Sequence, residues 1–579
     1  MQFRYFFIGF LIIFVPLLVF AQNTDEAAKE KERRKNILLE QILGDVPNLK
    51  LGENRALVLV KVGNQFWATD EKRARVLFQN AINELINAQT LAEADKKNPA
   101  AQNDLLNGQT TRPQILNTIA SHDAELALVY LLKTRPAAVS KAFSIPAPTN
   151  SKISSSMANQ RYLATNEFNL EQQFIRLAAD QNPERAIALL KESLKKGVSN
   201  ETLNLLKKLH EKDAEAANEF TSEIVGKLAL IKFTVENQPV YQNINTVTNF
   251  LTEFIREKPQ TEKSLKFDDS QMRGLADKLI SFYLGQSGSY GYYNSYQIIP
   301  IAEKLAPNSV EQLKKLQRNN PRRGDFFDYD PEIGKLLNGE TTADKLLAEA
   351  KKFPVNSRRQ IYQTAANKFV QQGNLSRATE VLTDNFSDDA LEEAIRQLNW
   401  QYSYQLISAG NFTEAERIID EMPENQRNNA LINLANAIFQ KNPEENKSYA
   451  VAVLEKAHAL ISEKPENTTE MSNLMQIIAA YANIEPTESF RLFVPLIPQM
   501  NELSEAAVII NGFQGNSNIR QGEFLMTQGV PLGSYGADFS VLRTLVKNDF
   551  DRTMSLIDGF TRREIRIALK LQLAESGLN

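Results

Sequence analysis

The chain has 579 residues and no cysteine, so disulfides, thiolate metal sites and thiol catalysis are excluded. Its 66 basic and 70 acidic side chains give a net charge of −4, which offers no basic surplus for nucleic acid, and nucleic acid is not an expected partner. Glycine is 24 of 579 residues and the apolar fraction is 42 %, which together favour a folded chain rich in long helices.

The first 21 residues have the form of a secretory signal peptide. Arg4 supplies a positive start, residues 5–20 are an apolar run, and Val19 and Ala21 stand where a signal peptidase requires small residues. An uncleaved membrane anchor is the alternative, but the run is short for a span of ~20 residues. We expect cleavage, a periplasmic or extracellular mature chain, and no membrane span afterwards.

Residues 22–135 are predicted to form an N-terminal helical region. Within it, 57–60 (Leu-Val-Leu-Val) could form a strand by its β-branched residues, but it precedes a capped helix and we favour a helix. Prolines and serines predict a linker or loop over 136–160. A middle helical region is predicted over 161–318.

The middle region contains a predicted loop at 285–296 that is polar and rich in tyrosine. The rings of Tyr290, Tyr292, Tyr293 and Tyr296 could stack on sugars or on the side chains of a partner. A loop whose rings fold back onto the protein surface is the alternative. We keep the four tyrosines as candidate partner-binding residues.

A second non-helical stretch, at 319–340, is predicted to be a boundary loop before a C-terminal repeat region at 341–579. Asp325, Asp328 and Asp330 lie in this loop and could offer oxygens to calcium. The spacing lacks the glycine and the terminal glutamate of the EF-hand loop. No metal and no cofactor are therefore expected.

A local pattern recurs along the chain: a helix-capping residue, a small residue four places later, and two large apolar residues three and four places after that. The side-chain oxygen of a capping residue accepts from free amides of the first turn. Offsets of 0, 3 and 4 lie on one helix face, where the small residue lets a neighbouring helix approach closely. The pattern therefore predicts stacked helix pairs. Its copies are Asp70/Ala74/Leu77/Phe78, Asn182/Ala186/Leu189/Leu190, Asn374/Ala378/Val381/Leu382, Asn411/Ala415/Ile418/Ile419, Asn446/Ala450/Val453/Leu454, Glu485/Ser489/Leu492/Phe493 and Asp549/Thr553/Leu556/Ile557.

The copies with small residues Ala378, Ala415 and Ala450 are evenly spaced, 37 and 35 residues apart, which is the period of helical-hairpin repeats. The segments 373–378 (Gly-Asn-Leu-Ser-Arg-Ala) and 410–415 (Gly-Asn-Phe-Thr-Glu-Ala) resemble the turn and second-helix start of tetratricopeptide repeats. Residues 434–441 (Leu-Ala-Asn-Ala-Ile-Phe-Gln-Lys) are similar to the end of that family's first helix. The resemblance covers about residues 358–460.

The chain departs from the family pattern in two ways. It has no consistent aromatic residue near the start of the first helix, and the proline after the second helix is missing. The last gap, 64 residues from Ser489 to Thr553, is too long for one repeat and predicts an inserted helix or loop, over about 512–536.

The resemblance implies an extended surface of first helices that binds proteins or peptides. In tetratricopeptide repeats an asparagine on the inner face of the first helix contacts the main chain of a bound peptide. Asn367 and Asn436 match that position, six residues before the turn, and Tyr404 replaces it in the repeat between them. We therefore add Asn367, Tyr404 and Asn436 to the candidate partner-binding residues.

Catalytic motifs are absent from the sequence. None of the three histidines, His122, His210 and His458, has a second histidine at metal-ligand spacing, and no nucleophile elbow or phosphate-binding loop occurs. The chain has two tryptophans, Trp67 and Trp400, which is fewer than a sugar-processing cleft usually uses for stacking. The sequence predicts an all-α, αα-hairpin solenoid that is exported and acts as a non-enzymatic scaffold in the bacterial envelope. An all-α polysaccharide-acting enzyme with an unseen carboxylate pair and a chaperone-like envelope factor remain alternatives.

Overall fold

The computed structural model describes residues 26, 28–94, 111–143, 155–231, 233, 239–256, 264–285, 295–318, 331–338, 340–514, 518–529 and 531–576. These residues form two compact units. Unit 1 contains the described residues up to Leu49 and those from 331 onward, and unit 2 contains those from Lys50 to 318. The first helix, α1, spans 28–45 and belongs to unit 1. The predicted signal segment lies outside the described residues.

Unit 2 is a succession of helices in which neighbours along the chain pack against each other. Helix α7 is the longest of those described in this unit and contacts α5, α6, α8 and α9. Helix α10 contacts α9 and α12, and α11 to α14 pair in turn. The helices are α2 (Gly52–Phe66), α3 (Glu71–Ala94), α4 (111–120), α5 (Ala124–Lys133), α6 (Ala137–Phe143), α7 (Ser155–Gln181), α8 (Pro183–Leu194), α9 (Thr202–Lys212), α10 (Ala214–Leu230), α11 (Pro239–Arg256), α12 (Asp269–Leu284), α13 (Ser295–Leu305) and α14 (Val310–Arg318). The favoured helix at 57–60 is confirmed, since it lies inside α2.

Unit 1 repeats one arrangement: each helix from α16 to α24 contacts the next, and the first helix of each pair also contacts the first helix of the following pair. Its helices after α1 are α15 (Pro331–Asn338), α16 (Ala343–Ala350), α17 (Val355–Gln371), α18 (Leu375–Asn385), α19 (Asp388–Ser408), α20 (Phe412–Asp420), α21 (Glu424–Lys441), α22 (Pro443–His458), α23 (Thr468–Ile484), α24 (Pro486–Phe493), α25 (Leu496–Gln514), α26 (Leu542–Asn548), α27 (Phe550–Asp558) and α28 (Arg563–Glu575). The predicted all-α repeat fold is confirmed.

The Gly-Asn turns explain how the chain reverses between α17 and α18 and between α19 and α20. Gly373 and Gly410 have φ of +77° and +78°, a left-handed conformation that glycine adopts without a Cβ penalty. At the first turn the Gly373 amide donates to the Val370 carbonyl and the Asn374 amide to the Phe369 carbonyl, which is the Schellman pair that ends a helix. The Asn374 side chain then accepts from the amide of Arg377 and starts α18.

The small residues of the repeated pattern are buried as predicted. All seven, at 74, 186, 378, 415, 450, 489 and 553, are 0 % exposed, and the large apolar residues after them are buried except Leu189, which is half-buried. The hydroxyl of Ser489 donates a hydrogen bond to the Ile478 carbonyl, and the hydroxyl of Thr553 donates one to the Asp549 carbonyl. A methyl or a bonded hydroxyl at this position therefore lets the paired helices approach closely.

Asn411 and Glu485 stand at the start of their helices as predicted, but their side chains make no capping hydrogen bond. The capping assignment at Asn446 is wrong. The cap of α22 is Asn442, whose side chain accepts from the Glu445 amide at 3.4 Å, and Pro443 takes the first helical position because its missing amide hydrogen costs nothing there. Asn446 lies one turn inside the helix and donates its amide group to the Ile438 carbonyl at 3.1 Å. The helix therefore starts earlier than its small residue indicated.

The inserted segment between the last two copies is confirmed. It holds α25, a two-stranded antiparallel hairpin (β1 Ile519–Arg520, β2 Glu523–Phe524), a set of 3₁₀ turns up to 541, and α26. The hairpin turn has positive φ at Gln521 and Gly522, as a two-residue type I′ turn requires. Arg562 anchors it by donating to the Gly522 carbonyl at 2.9 Å with its guanidinium 5.4 Å from the Phe524 ring centroid.

Two predicted loops contain helix where the structure describes them. In the 136–160 segment, α6 follows Pro136 directly and α7 begins at Ser155, because serine and proline are well tolerated in a first helical turn. In the 319–340 segment, Pro331 starts α15. Residues 144–154 and 319–330, with Asp325, Asp328 and Asp330, lie outside the described residues.

Helix α1 packs in unit 1 although it lies some 280 residues before the rest of that unit in the sequence. Leu38 joins the apolar core formed by α19 to α28. The Arg34 guanidinium lies 5.2 Å from the ring centroid of Phe550 in α27, and Arg563 in α28 donates to the Asn48 carbonyl at 3.4 Å. Among the helices that the structure describes, none combines the length and the apolar character needed to cross a bilayer.

Candidate partner-binding face

Three of the predicted partner-binding residues lie on first helices of successive pairs. Asn367 lies on α17, Tyr404 on α19 and Asn436 on α21. The Tyr404 side chain is 56 % exposed and both asparagines are half-buried. All three can therefore be reached from solvent.

The structure does not describe the side chains of the four tyrosines in the predicted tyrosine-rich loop. Tyr290, Tyr292 and Tyr293 lie outside the described residues, and Tyr296 lies in α13 with its side chain outside the description. These four residues stay predictions.

The three first helices are rotated alike relative to the core. In each helix the positions six before, one before and two after the predicted residue are buried, so the predicted residue faces the same side in each pair. These buried positions are Ile361, Ala366 and Phe369 in α17, Leu398, Ser403 and Leu406 in α19, and Ala430, Ala435 and Ile438 in α21.

First helices also lie closer to one another than second helices do. Helices α17, α19, α21 and α23 contact one another in succession, and within 340–514 no comparable contact joins α18 with α20 or α20 with α22. The Gln405 side chain in α19 donates to the Gln371 carbonyl of α17 at 3.1 Å. The first helices therefore line the inner side of this stack, where one partner segment could contact several of them.

Second helices are joined by long side chains instead. Glu416 of α20 accepts from the Tyr449 hydroxyl at 2.7 Å and from the Lys456 ammonium at 2.6 Å, both on α22. Burial together with the hydrogen bond to Glu416 raises the pKa of Tyr449 to about 12. Glu416, Tyr449 and Lys456 therefore serve to link α20 with α22.

The inner face carries uncharged polar side chains at every equivalent position. Charged residues make up 23 % of the chain, yet none occurs at the twelve positions that share this register on α17, α19 and α21. We call these twelve positions the amide face, since most of them are amides. They are Gln360, Thr364, Asn367 and Gln371 on α17, Gln397, Gln401, Tyr404 and Ser408 on α19, and Asn429, Asn433, Asn436 and Gln440 on α21.

The amides are densest along α21. Gln426, Asn429, Asn433, Asn436 and Gln440 follow one another at spacings of three and four residues, so they form one stripe about 21 Å long. In the part of the chain that the structure describes, no hydrogen bond occupies any of these five side chains. The stripe therefore offers free donors and acceptors to a ligand.

Sequence reasoning found Asn436 but missed the rest of the stripe. The signal was present: five amides at a strict alternation of three and four residues, on a helix whose other side is apolar. It was missed because the resemblance pointed to one asparagine per repeat.

A second missed feature lies at the start of α21, beneath the stripe. Asn428 is 4 % exposed, and both of its side-chain polar atoms lack a hydrogen-bond partner among the described residues. The side-chain oxygens of Gln426 and Asn429 are also buried and unpartnered within that part of the chain. Native structures contain few such groups.

Buried carboxylates in unit 2 have a structural explanation. Glu167 and Glu171 on α7 are 3 % and 8 % exposed at their side chains. Arg112 binds Glu167 with two nitrogens at 2.6 and 3.0 Å, and Arg135 bridges Glu167 and Glu171 at 2.9 and 3.2 Å. Lys196 completes the network at 2.6 Å from Glu171. The described residues contain no cluster of three or more side chains able to hold a metal.

The His122 ring lies in an aromatic stack of unit 2. It is 4.6 Å from Trp67, whose ring lies 5.6 Å from Phe78, and its Nε2 lies 2.6 Å from the Asn64 side-chain oxygen. Burial lowers the pKa of His122 below its ordinary value. The ring is therefore best explained as a neutral packing residue.

Comparisons with known proteins place the chain in no family. No protein-family model matches the sequence, and no curated protein matches it. A solved structure described as "Circular tandem repeat protein with novel repeat topology and enhanced subunit contact surfaces" aligns over 94 % of this chain and 97 % of that chain, at 12 % identity and a TM-score of 0.11. The helical-repeat class therefore rests on the helix contacts described above, and the tetratricopeptide likeness remains a resemblance of the segment 358–460.

Proposed function

We propose that the protein is an exported, non-enzymatic scaffold of the bacterial envelope that binds an uncharged, extended peptide segment on the amide face of α17 to α21. The observation that carries the proposal is the register shared by Asn367, Tyr404 and Asn436, together with the lack of charged residues at the twelve positions of the amide face. The resemblance to tetratricopeptide repeats supports the same choice of face.

The chemistry of the face favours a peptide main chain as ligand. A primary amide both donates and accepts, as a main-chain peptide group does, so an amide can bind both groups of one peptide unit. Such contacts need no charge on the ligand. Binding should therefore change little between low and high salt, because screening acts on charges.

Export is supported by the sequence alone. The form of residues 1–21 is the supporting observation. The periplasm of a bacterial envelope is the setting we propose for the mature chain.

Peptide binding can be tested with an array of random dodecapeptides and the purified mature chain. The test variant carries Asn429→Ala, Asn433→Ala and Asn436→Ala together, changes that favour helix at half-exposed or exposed positions and should leave folding intact. Three lost hydrogen bonds of about 1 kcal/mol each predict at least a tenfold loss of affinity for retained peptides.

The matched control carries Asn385→Ala and Asn511→Ala. Each of these asparagines donates back to its own helix, to the Val381 and Ala507 carbonyls at 2.8 and 2.7 Å. We expect the control to retain the same peptides as the wild type. Equal retention by the test variant, or retention of neutral polysaccharides in preference to peptides, would contradict the proposal.

A further inference from the structure

Helix α25 carries a row of exposed apolar side chains, which we call the α25 row. It consists of Ala506, Ile509, Ile510 and Phe513, and spacings of three, one and three residues place these side chains on one helix face. Ile509 is 62 % exposed, Ile510 is 53 % exposed and Ala506 is also exposed. Phe513 is 92 % exposed, the highest value of any large apolar side chain that the structure describes.

The opposite side of α25 already packs in unit 1. Met500, Ser504 and Ala507 are buried, and Leu503 and Val508 pack against apolar clusters of this unit. The helix is therefore apolar on two sides, whereas a surface helix normally turns a polar face to solvent. Packing within the described part of the chain explains one side, and the α25 row requires another explanation.

The side chains of the α25 row fit a second copy of the same row. If two α25 helices cross antiparallel about a two-fold axis between positions 509 and 510, Phe513 lies opposite Ala506 of the second copy. Ile509 then lies opposite Ile510. Each large ring meets the smallest side chain of the other row, which lets the two helices approach closely. A two-fold contact is closed, so association ends at a dimer.

The charges of α25 favour the antiparallel direction. Residues 506–514 carry no charge, and the helix has two charged residues, Glu502 and Glu505. Glu505 is paired with Arg562 at 2.8 Å, and Glu502 lies one turn before Ala506 on the same face. An antiparallel pair keeps the two Glu502 side chains about 22 Å apart along the helices. A parallel pair would bring these like charges together, which is unfavourable.

The area of the α25 row sets the expected strength of the contact. A phenylalanine side chain offers roughly 150–250 Å², so with both isoleucines the row offers about 400 Å² per copy. Apolar patches of this size on a monomer are often functional. A stable interface takes about 800 Å² from each partner, so this dimer should be weak and should depend on protein concentration.

We propose that the α25 row is a self-association surface through which two copies of the chain form a weak antiparallel dimer. The inference stands apart from the proposed function, because the amide face lies on α17, α19 and α21 and shares no residue with the row.

Sedimentation equilibrium of the purified mature chain over about 1–300 μM tests the surface. We expect the weight-average mass to rise toward twice the monomer mass at the upper concentrations. Phe513→Glu should keep the chain monomeric over the same range, because a dimer would bury two unpaired carboxylates. Its Tm at the lowest concentration should match that of the wild type, since Phe513 is exposed in the monomer.

The matched control is Leu230→Glu, which introduces the same charge at an apolar side chain that is 80 % exposed at the end of α10. This control should associate as the wild type does. A wild type that stays monomeric throughout would overturn the proposal. So would a Phe513→Glu variant that associates as strongly as the wild type.

Cysteine cross-linking tests the direction of pairing, since the natural chain has no thiol. When Ala506→Cys and Phe513→Cys variants are mixed and oxidised, we expect a disulfide-linked dimer with one chain of each, which keeps one Phe513–Ala506 contact. Either variant alone should link poorly, because the antiparallel pair separates equal positions by about 10 Å along the helices, beyond the ~7 Å Cα limit for a disulfide. Linking of a single variant in preference to the mixture would contradict the antiparallel dimer.

Discussion

Three glycines of unit 1 share a backbone conformation but differ in what surrounds them. Gly373, Gly410 and Gly536 have φ of +77°, +78° and +83°. A Cβ at position 373 would meet nothing within 4 Å, and one at 410 would meet only the flexible Lys441 tip at 2.9 Å. A Cβ at 536 would lie 2.5 Å from the Thr468 carbonyl oxygen, which belongs to the backbone at the start of α23.

These surroundings predict an ordered set of losses for substitution by alanine. All three variants bear the left-handed backbone penalty of about 1–2 kcal/mol. Gly536→Ala adds an overpacking penalty of about 1–3 kcal/mol, because neither backbone segment can turn aside as a lysine tip can. We expect free-energy losses of about 1–2 kcal/mol for Gly373→Ala and Gly410→Ala and about 2–5 kcal/mol for Gly536→Ala.

The assay is urea unfolding followed by tryptophan fluorescence. Trp400 lies in unit 1 and Trp67 in unit 2, so a Trp67→Phe background leaves one reporter, packed against the core of unit 1. Midpoint and slope together give the free energy of unfolding, and an unchanged slope shows that the variant exposes the same surface on unfolding as the wild type.

The comparison between glycines decides the result. Equal losses at 536 and 373, within about 0.5 kcal/mol, would show that the 3₁₀ segment does not rest on α23 as described. A large loss at 373 would contradict the open surroundings of the Gly-Asn turn. Gly410→Ala should lose no more stability than Gly373→Ala, because the tip of the Lys441 side chain can move away from the new Cβ.

Three further predictions follow. Arg112→Ala should destabilise unit 2 by about 3–5 kcal/mol, because the buried Glu167 loses two charged hydrogen bonds and keeps only its contact with Arg135. Arg377→Ala, at an exposed ion pair, should change stability by less than about 1 kcal/mol. Urea unfolding measures both variants, with Trp67 as the reporter for the first and Trp400 for the second. Because the folded pKa of His122 is lowered, the unfolded state binds more protons just below the ordinary value near 6.5, so the stability of unit 2 should fall as pH drops through that value. His122→Phe should remove that part of the pH dependence, and an identical pH profile would refute the assignment. Intact mass of the exported protein should show Gln22 as the first residue, and retention of residues 1–21 would instead indicate an anchor.

Local chemistry made the helix pairs predictable. The Gly-Asn turns, the small residue one turn inside the helix and the apolar pair after it are all contained in about ten consecutive residues, and each acts through hydrogen bonds or packing of its own turn. The same locality explains the error at Asn446, since both asparagines can cap a helix and the small residue pointed to the later one, whereas Pro443 at the first helical position marks Asn442 as the cap.

The candidate face was predictable only in part. Asn367, Tyr404 and Asn436 could be found because they stand at fixed distances from recognisable turns. The unpaired state of Asn428 could not, because it depends on which groups of neighbouring helices come within hydrogen-bond distance, and sequence periodicity marks the position without showing its partners.

By itself the sequence determined an all-α chain of paired helices, because caps, left-handed glycines and 3.6-residue periodicity act within one or two turns. Tertiary structure alone decided that α1 packs with α27, that the segment 531–541 rests on α23, and that Asn428 lies buried without a partner among the described residues. These contacts join residues up to about 500 positions apart, and their free energy depends on shape and burial that no short stretch of sequence encodes.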